Sequence, residues 1–114
     1  MAEPNISAYH VRQSRTRREN HVKITVQQLR YLLETAERGS INSAAKSLGI
    51  SKSTLYEALS QVEDELGFSV LDRGKRGVSV TERGAKVMNA AERVVAEMDA
   101  FEREFCNQNN VSSR

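Results

Sequence analysis

The chain contains 114 residues, 39% of them hydrophobic and 28% charged, a length that allows one small domain with an appendage but not two domains. Its apolar runs are only a few residues long and its mean hydropathy is −0.56, so neither a membrane span nor a secretory signal is expected. The single cysteine, Cys106, cannot close a disulfide within the chain. A reducing, cytoplasmic location is therefore predicted.

The distribution of charge is more informative than the net charge of +2. Residues 1–23 and residues 72–86 each carry five basic and two acidic side chains, whereas the segments that follow them are net negative. A nucleic-acid partner requires local basic patches of this kind rather than a basic average. Ordinary solvated surface is the alternative interpretation of each block, so the predicted fold has to decide between them.

The first basic block, residues 1–23, contains Pro4 and the basic run of residues 15–18 but has no apolar period. This composition predicts a disordered arm. Two interpretations stay open for it. The arm either adds electrostatic affinity for phosphates or, as the preferred interpretation, is a leader that packs against nothing or the result of a start site placed too early.

Three helices are predicted next, each with a hydroxyl-bearing residue at its start and a glycine at its end. The start and end residues are, in order, Thr25 and Gly39, Ser40 and Gly49, and Ser51 and Gly67. The first start is also a capping-box signature, because Gln28 follows Thr25 by three residues. Apolar residues at helical spacing predict the buried stripes: Val26, Leu29, Leu33 and Ala36; then Ile41, Ala44, Ala45 and Leu48; then Leu55, Leu59, Val62 and Leu66.

A hairpin is predicted after Gly67, where the apolar period drops to about 2. Apolar residues alternate with serine over residues 68–70 and again over residues 78–80. The segment between them, residues 72–77, contains two glycines and three basic side chains, which indicates a basic hairpin tip.

The final helix is predicted to begin after Thr81 and to span residues 82–105. Its apolar seam recurs at steps of three and four residues: Val87, Ala91, Val94, Met98, Phe101 and Phe105. The end near Val87 is expected to pack on the domain, whereas the part beyond Ala91 would face water in a monomer. This pattern predicts a homodimer joined along the last helix.

The order of helix, short helix, turn, helix and basic hairpin is that of a winged helix-turn-helix. We therefore predict a mainly α fold with a two-stranded wing and a long C-terminal linker helix. In such a fold the third helix enters the DNA major groove. Only its first half suits DNA, because acidic residues 63–65 at its other end would repel phosphates; pairing of these acids with neighbouring basic side chains is an equally weighted explanation.

Several segments of the chain resemble the DNA-binding domain of LysR-type transcriptional regulators, in order and nearly without gaps from about Ile24 to Phe105. These segments are Leu29-Arg30-Tyr31, Gly39 to Ala45, Leu48-Gly49-Ile50-Ser51, Glu63 to Gly67, Arg73, Arg76 and Thr81 to Gly84. The resemblance implies a winged helix-turn-helix followed by a linker helix that pairs, antiparallel, with that of a second subunit.

The candidate base-reading residues are Ser51, Lys52, Ser53, Thr54, Tyr56 and Glu57. Three departures from the family pattern bear on base preference: Lys52-Ser53 replaces a frequent Gln-Pro, and Tyr56 and Glu57 replace a small polar residue and a basic or amide residue. Lys52 suits guanine, and Glu57 either accepts from cytosine or is a solvated surface charge. Tyr56 is expected to pack on a sugar or a thymine methyl group.

Arg73, Lys75 and Arg76 of the wing are the candidate contacts to the DNA backbone or minor groove. Arg73 has a second interpretation. From the wing stem it could instead pair with an acid of the third helix and only shape the domain.

Other function classes have less support. An enzyme is not expected, because His10 and His21 lie in the arm, Cys106 lies at the far end, and no metal-ligand spacing or phosphate-binding loop is present. We predict no cofactor and no metal site. The alternative is a protein-docking winged helix or a dominant-negative dimerisation module, which would not need a basic wing.

The predicted organisation is an arm at residues 1–23, a DNA-binding domain at 24–84 with its helix-turn-helix at about 41–60, a linker and dimerisation helix at 82–105, and a flexible tail at 106–114. Family members normally carry a ligand-sensing domain after the linker helix, and no small-molecule effector domain is expected in this chain. The predicted partners are double-stranded DNA and a second copy of the chain. The operator, the effector and the choice between activation and repression are not predicted.

Overall fold

The structure, a computed structural model, describes residues 23–106. In this range the elements are α1 (Val26–Arg38), α2 (Ile41–Leu48), α3 (Lys52–Leu66), β1 (Leu71–Gly74), β2 (Gly77–Val80) and α4 (Glu82–Phe101). A π-helical turn, Glu102–Cys106, extends α4. The predicted mainly α fold with a two-stranded wing is confirmed. The predicted basic arm, apart from Lys23, and the tail beyond Cys106 lie outside the described residues.

Local side-chain and backbone signals set the ends of the helices as predicted. In each helix the hydroxyl of the N-cap residue accepts a hydrogen bond from the backbone N–H three residues later, and Thr25 and Gln28 form the full capping box. The first three helices end at glycines in the left-handed conformation: Gly39, Gly49 and Gly67. The turn between α2 and α3 therefore has the length that a helix-turn-helix requires.

The core lies between the four helices and the base of the wing. The stripe of α3 is confirmed, since Leu55, Leu59 and Val62 are completely buried. For α1 the predicted stripe was wrong in its centre. Leu32 and Thr35 are the completely buried residues, while the predicted Val26, Leu29, Leu33 and Ala36 are half-buried. The reason is that α1 contacts α2, α3, α4 and β2, so its most enclosed line runs between the predicted positions.

A polar cluster joins α1 to α2 at the surface. The carboxylate of Glu34 accepts hydrogen bonds from Ser47 Oγ at 2.6 Å and from Arg38 Nε at 2.8 Å. The hydrogen bond from Ser47, and after it the one from Arg38, lowers the pKa of Glu34. The cluster links α1 to α2 by hydrogen bonds at the surface.

The first strand of the wing begins later than predicted. The sequence pattern placed it at residues 68–70, but β1 is Leu71–Gly74, paired antiparallel with β2 so that Leu71 faces Val80 and Gly74 faces Gly77. Val70 lies opposite Thr81, and its carbonyl still accepts from the Thr81 N–H at 2.9 Å. Its own N–H, however, donates to a carboxylate of α3 instead of to the other strand. Because Gly74 pairs with Gly77, the tip consists only of Lys75 and Arg76.

That carboxylate belongs to Glu63, in the last turn of α3. Its Oε2 accepts from the backbone N–H groups of Val70 and Leu71 at 2.8 and 3.0 Å. Its Oε1 accepts from Arg73 Nη2 at 3.3 Å. One half-buried side chain thus satisfies two donors at the start of β1 and one from within it, and it attaches the wing to α3.

A second attachment joins β2 to the turn between α1 and α2. The N–H of Val78 donates to the carbonyl of Gly39 at 2.9 Å. The preceding residue, Gly77, has a φ of 113°, and a Cβ at this position would overlap the Gly39 carbonyl oxygen. Only glycine permits this approach, which sets the position of the wing relative to the helices.

Replacement of Gly77 by alanine should destabilise the fold by about 1–3 kcal/mol, because the variant must displace the wing from Gly39 and place a Cβ at positive φ. The matched control is Gly74→Ala, at the paired position of the same hairpin, where an added Cβ meets nothing within 4 Å. Urea unfolding monitored by circular dichroism measures both. Equal stability of the two variants would contradict the close-approach explanation.

Replacement of Glu63 by alanine should cost about 1–3 kcal/mol, since it leaves buried backbone donors at Val70 and Leu71 without an acceptor. The neighbouring Asp64→Ala is the control: Asp64 is exposed, and the change should stay within about 0.5 kcal/mol of wild type. Thermal unfolding of both variants provides the comparison. A Glu63→Ala protein as stable as the control would show that the wing does not depend on this carboxylate.

Candidate nucleic-acid interface

The first two turns of α3 present the predicted base-reading residues together. Five of them are exposed: Lys52, Ser53, Thr54, Tyr56 and Glu57. Leu55, which lies between them in sequence, is buried and begins the stripe that faces the core. The capping residue Ser51 is also exposed, but its hydroxyl is engaged: it accepts from the Thr54 N–H at 3.1 Å and donates to Thr54 Oγ1 at 2.9 Å. The helix therefore projects a polar end whose geometry is held by its cap.

The electrostatics of α3 are polarised along its axis. Its first turn contains Lys52 and no acidic residue, and the helix dipole adds positive potential at that end. The acidic residues of the last turn lie at the other end, where Glu63 is committed to the wing. The predicted pairing of these acids with basic neighbours is confirmed for Glu63. An anionic ligand is thus attracted to the N-terminal end of α3.

The wing tip supplies two exposed cations. Lys75 and Arg76 form the two-residue connection between the paired glycines of β1 and β2, and both are exposed. Within residues 23–106 neither side chain forms an ion pair. Their charge is therefore available to a partner.

Arg73 differs from the other two basic residues of the wing. It lies in β1 rather than at the tip, its guanidinium pairs with Glu63, and its side chain is 31% exposed. The same guanidinium lies over the ring of Tyr56, 5.6 Å from the ring centroid. The structure contains the ion pair that the second interpretation of Arg73 requires, and the contact with Tyr56 is one that the sequence did not suggest.

The apolar seam of α4 divides into two parts. Ala91 is buried and Val87 is half-buried against the domain, together with Met88, a buried residue that the predicted seam did not include. Beyond this point Val94, Phe101 and Phe105 are exposed, by 43%, 55% and 51%. With Met98 and Val26 they line an open, largely apolar surface, which Glu97 and Glu104 also border. Nothing in the described range of this single chain covers that surface.

An ion pair joins α4 to α1 in addition to the packing between the two helices. Arg30 Nη2 of α1 donates to Asp99 Oδ1 at 2.8 Å, across 69 positions of sequence. The side chains are 35% and 43% exposed, so the pair is partly screened by solvent. It joins α1 to the part of α4 that carries the exposed apolar surface.

The described residues offer little for other chemistry. Among residues 23–106 there is no group of three or more His, Cys, Asp or Glu side chains that could hold a metal ion, and no helix there is long and apolar enough to cross a membrane. His10 and His21 lie outside this range, and Cys106 is exposed with a free thiol. The features that this part of the chain exposes are the polar N-terminal end of α3 and the basic wing tip.

Comparison with known proteins agrees with this arrangement. HTH-type transcriptional regulator BsdA of Bacillus subtilis (strain 168) is 43% identical over 51 residues, which cover 45% of this chain and 18% of that regulator. The matched part thus spans about a fifth of the length of this curated relative.

Solved structures with the same fold include protein–DNA complexes. The structure of the CbnR DNA-binding domain in complex with DNA has a TM-score of 0.63 at 27% identity and covers 79% of this chain and 99% of that chain. The complex of the BenM DNA-binding domain with benA site 1 DNA has a TM-score of 0.67 at 28% identity, covering 73% and 96%.

A family model provides the assignment. The model of bacterial regulatory helix-turn-helix proteins of the lysR family matches residues 26–85, more than half of the chain and the whole of the winged domain described above. The chain therefore carries a LysR-type helix-turn-helix DNA-binding domain and belongs to the LysR family of bacterial regulatory proteins.

Proposed function

We propose that this chain is a sequence-specific, double-stranded DNA-binding transcriptional regulator that binds as a dimer, with α3 in the major groove and the wing on the backbone or minor groove. One observation carries the proposal. The exposed first turn of α3, which contains no acidic residue, lies in the same domain as two exposed wing cations with no ion pair in the described range. An α-helix of this kind fits the major groove, and a hairpin tip reaches the adjacent phosphates.

Base recognition is assigned to the exposed residues of α3. Lys52 suits the O6 and N7 acceptors of guanine, and Glu57 suits the N4 donor of cytosine, each worth about 1–3 kcal/mol of discrimination. Ser53 and Thr54 offer hydroxyl groups to bases or phosphates. Ser51 contributes by capping α3, because a direct base contact would compete with its hydrogen bonds to Thr54.

Dimerisation is assigned to the exposed part of α4. Val94, Met98, Phe101 and Phe105 form an apolar surface that a second copy of α4 covers by antiparallel pairing. Such a dimer presents two recognition helices about 34 Å apart, one turn of DNA, and requires a partly palindromic site. Antiparallel pairing through the apolar surface thus makes a two-fold symmetric dimer, which matches a partly palindromic operator.

We also assign the boundaries on this basis. Residues 24–84 form the DNA-binding domain and residues 82–105 form the linker helix, whose first turns belong to the core of the domain. The alternative function, protein docking by the same fold, is not favoured because the exposed wing cations have no role in it.

Selection of bound sites from random duplex DNA is the experiment that tests the proposed function. It should enrich a partly palindromic sequence with two half-sites one helical turn apart, and binding should weaken steeply as salt rises. Recovery of no common sequence, together with no shift of duplex DNA at low salt, would support the protein-docking alternative.

Replacement of Arg76 by alanine should weaken binding to all DNA sequences alike and lower the slope of log K against log salt by about one, because one phosphate contact is lost. Arg93→Ala is the control, since Arg93 is an exposed cation on α4 away from the wing. Fluorescence anisotropy titrations at several salt concentrations measure the slopes. An unchanged slope for Arg76→Ala would exclude the phosphate contact.

Replacement of Met98 by aspartate should convert the dimer to a monomer and remove much of the DNA affinity, since it places a charge within the apolar surface of α4. Ala96→Asp is the matched control: Ala96 is exposed on the opposite side of the helix, and this variant should stay dimeric. Size-exclusion chromatography with light scattering gives the masses. A Met98→Asp dimer would contradict the assigned interface.

A further inference from the structure

Arg73, Glu63 and Tyr56 form a contact chain between the wing and the recognition helix. Glu63 is held by two backbone hydrogen bonds from the start of β1, at 2.8 and 3.0 Å. Arg73 Nη2 lies 3.3 Å from the other oxygen of Glu63, and its guanidinium lies 5.6 Å from the centroid of the Tyr56 ring. Arg73 is therefore bound on one side to a fixed carboxylate and on the other to an aromatic ring.

This geometry points to a role other than binding of phosphate by Arg73. A phosphate contact would compete with the Glu63 carboxylate for the same guanidinium, whereas Lys75 and Arg76 have no such competitor within residues 23–106. The positive charge of Arg73 is also compensated locally by Glu63. The exposed cations of the tip are thus the better phosphate ligands. Arg73 instead makes contacts within the domain.

Tyr56 is the residue that the Arg73–Glu63 ion pair holds in place. Its side chain is on the exposed face of α3 and is 43% exposed, so without a neighbour the ring would be free to change rotamer. A guanidinium within about 6 Å of an aromatic ring attracts it. Arg73 thereby holds one orientation of the ring at the surface that faces the major groove in the proposed complex.

We infer that Arg73 is a positioning residue for base recognition: anchored by Glu63, it orients the Tyr56 ring, which in turn recognises the methyl group of a thymine. The inference rests on the proposed function and deepens it. Thymine is the base that presents an apolar group in the major groove, and an aromatic ring next to a neutralised ion pair offers an apolar surface to it. The wing then contributes to sequence preference without touching a base.

The test uses the selected duplex with its thymines replaced by uracil one at a time, which removes only the methyl group. For wild type, one position in each half-site should lose affinity by about fourfold, the effect of one buried methyl group. Tyr56→Ala should bind the thymine and uracil duplexes equally. Absence of any uracil-sensitive position in wild type would overturn the inference.

Two variants separate positioning from phosphate binding. Arg73→Lys keeps the charge but loses the planar guanidinium, so it should lose the uracil sensitivity; full sensitivity in this variant would overturn the inference. The double variant E63Q/R73Q leaves the local net charge unchanged. It should lose the uracil sensitivity while keeping the wild-type salt slope, and a slope lowered by about one would identify Arg73 as a phosphate ligand instead.

Arg76→Ala is the matched control in the same hairpin and should show the opposite behaviour, with a lower salt slope and intact uracil sensitivity. Loss of the uracil sensitivity in this control would show that the effect is not particular to Arg73. Circular dichroism confirms that each variant is folded. Wild-type protein that binds no duplex would overturn the proposed function itself. If wild type binds but the E63Q/R73Q variant has a lowered salt slope, only the positioning role is overturned.

Discussion

The carboxylate of Glu63 is the interaction on which the candidate interface depends. It lies in the last turn of α3 and accepts hydrogen bonds from two backbone N–H groups and one guanidinium of the wing. Since a two-stranded hairpin is marginally stable by itself, its position relative to α3 requires external contacts. Glu63 provides them on one side, and the bond from Val78 to Gly39 provides them on the other. The wing is therefore attached to α3 on one side and to the turn between α1 and α2 on the other.

The basic side chains of the wing have different environments although they are close in sequence. Arg73 is engaged by Glu63 and Tyr56, while Lys75 and Arg76 at the tip remain exposed. A charge that is already paired contributes less to long-range attraction than a free one. Counting cations along the chain thus overstates the number available to a phosphate backbone, and the register of the hairpin decides which of them are available.

The first and later turns of α4 have different surroundings. Its first turns, with Met88 and Ala91, complete the hydrophobic core, and its later turns carry an uncovered apolar surface. The ion pair between Arg30 and Asp99 ties those later turns to α1. In the proposed dimer the spacing of the two recognition helices would depend on how α4 packs against its own domain.

The sequence alone determined the features that depend on residues three or four positions apart: the helix caps, the glycine ends, the stripe of α3 and the exposed polar end of α3. These are visible because a cap or a helical period is made within one or two turns. Tertiary structure decided the start of β1, the buried centre of α1 and the partners of Arg73. Each of these depends on which distant group satisfies a donor or covers a side chain, and the local pattern contains no such information. Glu63 illustrates the limit, since its acidic character was evident but its backbone partners became neighbours only through packing.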